Sequence, residues 1–143
     1  GHHRRQRQMC IRDSTNTSVQ NKKDLNDKNK YQEGGISGKP IYNLSNQVIK
    51  KFYTQLGKKI PIVGAGGVED GYTALEKIKS GASLCQLYTA MIYKGPFVVK
   101  NILDQLDRYR KRDNIKNWED VRGLAKSINE ANKIVENGLN KKT

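Results

Sequence analysis

Two short stretches of this 143-residue chain carry residue types suited to holding an anion, and a third, glycine-rich loop suits close backbone approach. Gly64-Ala65-Gly66-Gly67 ends an apolar run and leads into a helical pattern, so its backbone N–H groups stand free of side chains at the end of a strand. Tyr88-Thr89 ends a second apolar run, where Thr89 offers both an amide and a hydroxyl. Gly34-Gly35-Ile36-Ser37-Gly38 is the third, a place where the backbone can approach another group closely. Bare amides with a hydroxyl beside them suit a phosphate. The same glycines also fit a tight strand-to-helix turn in which they serve sterics alone, and spacing leaves both readings open. The dinucleotide fingerprint G-x-G-x-x-G is not met.

The elements around these stretches follow from apolar periodicity. "LSNQVIKKFYTQLGKK" places Val48, Ile49, Phe52, Tyr53 and Leu56 at helical spacing, with Ser45 as the expected N-cap and Gly57 as the stop. "IPIVGA" reads as a strand buried on both faces, as in a parallel sheet. A helix is expected from Asp70 to Lys79, with Ala74, Leu75 and Ile78 inward and Gly81 beyond its end. "SLCQLY" reads as a second buried strand, and "GPFVVKNILDQLDRYRKRD" as a long helix with Pro96 in its first turn. A last helix is expected from Trp118 to about Ile128. Two successive βα units imply an α/β fold with parallel strands and helices outside. The polar stretch from Thr15 to Pro40 is expected to be a loop.

Composition narrows the function classes. No apolar stretch approaches the roughly 20 residues needed to cross a bilayer, which leaves a peripheral membrane role open. The net charge of +13 is spread as lysine pairs interleaved with Asn and Asp, without the aromatic interleaving of a nucleic-acid surface, so no nucleic-acid partner is expected. Cys10 and Cys85 lie far apart and form no disulfide framework; Cys85 is expected to be a buried apolar residue. His2 and His3 lack partners for a metal sphere, and no metal site is expected. Residues 1–14, with four arginines and no further arginine until Arg108, are expected to be a non-native leader, and residues 129–143 a flexible tail.

"TNTS", "GGISGKP", "IPIVGAGGVEDGYTALEKIKSGAS" and "CQLYTA" followed by "YKGP", in this order, resemble the C-terminal part of dihydroorotate dehydrogenases of the quinone-linked class. The resemblance covers roughly Thr15 to Arg122, most specifically Ile62 to Ala82, with the barrel part expected over residues 15–128, and "QLYTA" favours the quinone class. It implies the C-terminal part of a (β/α)8 TIM barrel: the last two βα units plus the preceding substrate loop, the barrel being incomplete in this chain. It further implies FMN as cofactor, dihydroorotate oxidised to orotate in pyrimidine (UMP) biosynthesis, and electrons passed to a membrane quinone through an N-terminal region absent here. The parent protein would sit peripherally on a mitochondrial or bacterial inner membrane.

By the same resemblance, Ser37, Gly38, Gly66, Gly67, Tyr88 and Thr89 would hold FMN, Thr15 would lie against the flavin, and Asn16 and Thr17 would hold the orotate ring. Ser18 stands where the family has threonine, and "CIRDS" stands where it has an apolar strand. The catalytic base is expected outside this chain, which alone would be inactive, and open strand edges are expected to make it poorly soluble. Two alternatives remain: another FMN- or phosphate-binding barrel enzyme, and a basic nucleic-acid-binding module.

Overall fold

The computed structural model describes residues 25, 26, 28 and 30–125. The expected leader, the "TNTS" stretch with Thr15, Asn16 and Thr17, and the tail from residue 129 lie outside the described residues.

Pro40 enters a 3-10 turn, Lys39–Ile41, that runs directly into helix α1, Tyr42–Leu56. The preset φ of proline suits such a start. The helix therefore begins three residues before Ser45, which is not its cap: Ser45 is buried inside the element. Gly57 ends α1 with a φ of 61°. Strand β1, Val63–Ala65, follows, then helix α2, Gly71–Ser80. Asp70 caps α2 through a reciprocal box, its carboxylate accepting from the Thr73 amide at 2.8 Å while the Thr73 hydroxyl accepts from the Asp70 amide at 3.0 Å.

Strand β2, Leu84–Gln86, pairs parallel to β1 with Val63 opposite Leu84 and Ala65 opposite Gln86. A six-residue helix α3, Thr89–Lys94, comes next, and Gly95-Pro96 separates it from the long helix α4, Val98–Arg112. The sequence reading began the long helix at Gly95, with Pro96 in its first turn, and assigned no helix to residues 89–94. Pro96 instead lies ahead of α4, whose N-cap is Phe97, because a left-handed Gly95 (φ 79°) stops α3 first. Helix α5 is a single turn, Trp118–Val121.

The alternation of a strand sorts its side chains between two faces. Gly64 and Cys85 point toward the helices: a Cβ on Gly64 would come within 3.1 Å of Ile49 Cδ1, and the Cys85 thiol donates to the Ala74 carbonyl at 3.6 Å. Under them lie two apolar clusters, one of Ile49, Ile62 and Ala82 against α1, the other of Val68, Ala74, Ala90, Val98 and Ile102 between α2 and α4. The opposite face of β2 is open. Leu84 is 63% exposed, and Gln86 and Tyr88 are exposed with it. Burial of "SLCQLY" on both faces is thus not found among the described residues, because their helices all pack on one side of the sheet.

Helix α2 buries more than its apolar residues. Ala74 and Leu75 are inside as expected and Ile78 is half-buried, yet Glu76 and Lys77 are fully buried as well.

Candidate functional site

A cleft of about 330 Å³ opens at the carboxyl ends of β1 and β2. Three chain segments line it. The β1–α2 loop brings Gly66 and Gly67, the β2–α3 junction brings Tyr88 and Thr89, and the segment before α1 brings Ser37 and Gly38. All six described residues singled out from sequence for cofactor binding therefore lie around one cavity.

The backbone there has the conformation that glycine permits. Gly66 and Gly67 have φ of 94° and 76°, and a Cβ on Gly67 would stand 2.6 Å from Tyr42 Cβ, so α1 backs directly onto this turn. Gly38, at φ 78°, packs against Thr89, whose Cγ2 would be 3.0 Å from an added Cβ. One residue earlier, the Ser37 and Thr89 hydroxyls share a hydrogen bond of 3.0 Å. This pair joins the loop before α1 to the start of α3 across the mouth of the cleft.

Among the described residues, no charged side chain lines the cleft. Its polar groups are amides, two hydroxyls, the Tyr88 phenol and the amide of Gln86, a set that suits an anion held by hydrogen bonds. The start of α2 takes no part: Asp70 already occupies the Thr73 amide, and the Gly71 amide donates to Gln105 Oε1 at 2.6 Å. The anion-binding capacity therefore rests on the Gly66-Gly67 loop and on Thr89, whose amides enter none of the hydrogen bonds among the described residues. Beyond Gly38 and Thr89 a second hollow of about 380 Å³ adjoins, with Lys39 and Lys94 at its rim. Lys94 is drawn toward Glu69, donating to its carbonyl at 3.1 Å.

Behind the cleft lies a buried polar group absent from the sequence reading. Lys77 Nζ donates to the Ser45 hydroxyl at 2.8 Å, and Ser45 donates to the Ala65 carbonyl. The ammonium also stands 4.9 Å from the centre of the Tyr42 ring. Burial draws the Lys77 ammonium down to about 7, pushes the Glu76 carboxyl up to about 7, and raises the Tyr42 phenol. Neither Glu76 oxygen has a hydrogen-bond partner among the described residues. Cys85, half-buried with its thiol raised to about 11, is no nucleophile at neutral pH. A lysine in mid-helix normally signals an exposed position, so composition gave no sign of this cluster.

A parallel βα pair with a glycine-lined cleft at its strand ends defines an α/β protein of the kind whose sites sit at strand carboxyl termini. The profile of the dihydroorotate dehydrogenase family matches residues 4–109, and the chain belongs to that family. It is 46% identical over 91 residues to the dihydroorotate dehydrogenase (quinone) of Bartonella tribocorum, a match covering 64% of this chain and 25% of that protein. The mitochondrial dihydroorotate dehydrogenase (quinone) of Mus musculus is 42% identical over 110 residues, covering 77% of this chain and 28% of that one. Among solved structures, the ligand-free DHODH of Eimeria tenella superposes with a TM-score of 0.72 at 34% identity, covering 76% of this chain and 30% of its own. The chain thus spans between a quarter and a third of the length of these relatives.

Proposed function

We propose that this chain supplies the FMN-phosphate corner of a quinone-dependent dihydroorotate dehydrogenase, as the last two βα units and preceding loop of a (β/α)8 barrel. The observation that carries the reading is the convergence of Ser37, Gly38, Gly66, Gly67, Tyr88 and Thr89 on one cleft at the strand ends. The residues fit the group: a phosphate needs donors and no intervening Cβ, and the two left-handed glycines with the Ser37–Thr89 hydroxyl pair offer that.

When bound, FMN would take the hydride from dihydroorotate and hand the electrons to a quinone. This chain's residues would bind and orient. The Gly66, Gly67 and Thr89 amides would hold the phosphate, and the Ser37 and Thr89 hydroxyls would fix the mouth of the cleft. Asn16 and Thr17 would hold the orotate ring and Thr15 would lie against the flavin. We assign no general base to these 143 residues; the proton-abstracting residue belongs to the part of the barrel that they do not match. The parent protein would meet its quinone as a peripheral membrane enzyme of pyrimidine biosynthesis. No helix among the described residues is long and apolar enough to cross a membrane.

The test is flavin binding by the 143-residue chain, read by flavin fluorescence, with FMN against riboflavin, which lacks the phosphate. A clear preference for FMN is expected. Equal affinity for both, or competition by inorganic phosphate with neither, would sink the reading.

A further inference from the structure

Lys77 is a fully buried lysine on α2, yet it does not reach the cleft lining. Its Nζ contacts two residues of α1, and both of them brace the glycine loop. Tyr42, 4.9 Å beneath the ammonium, is the residue that an added Cβ on Gly67 would strike. Ser45 accepts the lysine's hydrogen bond at 2.8 Å and its hydroxyl donates to the Ala65 carbonyl.

That carbonyl belongs to the same peptide unit as the Gly66 amide. Because the unit is planar and trans, its C=O and N–H point in opposite directions. A hydrogen bond fixing the Ala65 carbonyl toward α1 therefore fixes the Gly66 N–H toward the other side. The lysine, the serine hydroxyl and the peptide form a chain of aligned donors, and such chains polarise one another in a low-dielectric interior. Glycine at 66, with φ of 94°, has little intrinsic preference that would hold this plane by itself.

We infer that Lys77 is a positioning residue for the anion cleft, acting through Ser45 and the Ala65–Gly66 peptide to aim and strengthen the Gly66 amide without touching the ligand. The inference rests on the phosphate reading given above. It assigns a function to a lysine that is fully buried behind the cleft, where its hydrogen bond to Ser45 and the Tyr42 ring offset only part of its desolvation.

The experiment compares FMN and riboflavin affinities for the wild-type chain, Lys77→Met, Ser45→Ala and the double variant, with far-ultraviolet circular dichroism as the folding control. A purely structural lysine would weaken both flavins alike. The positioning role lowers the FMN-over-riboflavin ratio selectively, roughly tenfold in Lys77→Met and somewhat less in Ser45→Ala. The double variant is expected to lose no more than Lys77→Met alone, because both act through one hydrogen-bonded chain. An unchanged ratio in a folded Lys77→Met overturns the inference while leaving the phosphate reading intact. If Lys77→Met does not fold, an unchanged ratio in Ser45→Ala overturns it instead. A wild-type chain with no preference for FMN removes the phosphate reading and this inference together.

Discussion

The guanidinium of Arg122 lies 5.3 Å from the centre of the Tyr53 ring, and the Tyr53 hydroxyl donates back to the Arg122 carbonyl at 3.2 Å. Arg122 also donates from Nε to the Gly81 carbonyl at 2.8 Å and from Nη2 to the Ile60 carbonyl at 3.0 Å. One buried arginine thus ties α1, the end of α2 and the approach to β1 to the segment after α5. Arg122→Ala leaves these carbonyls unpaired and a gap beside the ring, so a loss of about 2–4 kcal/mol is expected in a urea titration. Arg122→Lys should recover little, since a single ammonium cannot serve both carbonyls and stack on the ring.

Gly67→Ala introduces a Cβ against Tyr42 at a φ of 76°. The expected cost is about 1–3 kcal/mol, from backbone strain and displacement of α1. FMN affinity should fall further than riboflavin affinity, since the turn that offers the amides is the one displaced. Denaturant midpoints and flavin titrations separate the two effects.

The Ser37 and Thr89 hydroxyls are each other's partners at 3.0 Å. Ser37→Ala and Thr89→Val should each weaken FMN binding by about two- to tenfold, the worth of one neutral hydrogen bond. Combined, they should cost less than the sum. Full additivity in a double-mutant cycle would show that the pair does not act as a unit.

Stability should pass through a minimum near neutral pH. The Glu76 carboxyl is raised from its ordinary 4.5 to about 7, so the folded state holds a proton that the unfolded chain has lost. Its contribution therefore falls as pH rises from about 4.5 to about 7. Lys77 is lowered from 10.5 to about 7, so its contribution is complete only above about 10.5 and is lost as pH falls toward about 7. At about 1.36 kcal/mol per pKa unit, the acidic limb amounts to roughly 3 kcal/mol and the basic limb to roughly 5 kcal/mol. Glu76→Gln should flatten the acidic limb and Lys77→Met the basic one in urea titrations across pH 4.5 to 10.5.

Local signals carried much of this architecture. The glycine stops at 57 and 81, the helix start near Asp70 and the two apolar runs each depend on neighbours a few residues away, and each is found where the sequence placed it. The six cleft residues were legible chiefly through the family resemblance, since the glycines by spacing alone fitted a bare strand-to-helix turn as well. Ser45 was misplaced because a serine ahead of an apolar period looks like a cap, whereas the 3-10 turn at Lys39–Ile41 had already started the helix. Glu76 and Lys77 were invisible because their burial depends on α1 and α4 closing over α2, a tertiary fact with no local trace. The open face of β2 is likewise a matter of what packs on it, and no periodicity within "SLCQLY" encodes that.

The pairing of Val63 with Leu84 has a kinetic side. Parallel strands cannot be joined by a hairpin, and all of α2 lies between these two. Forming α2 shortens the loop that must close before the strand ends meet, so the cleft is expected to appear with α2 or after it. Substitutions that weaken α2 at Asp70 or Ala74 are therefore expected to slow refolding in stopped-flow experiments. Changes at Ser37 and Gly38, which join the assembly afterwards, should chiefly speed unfolding.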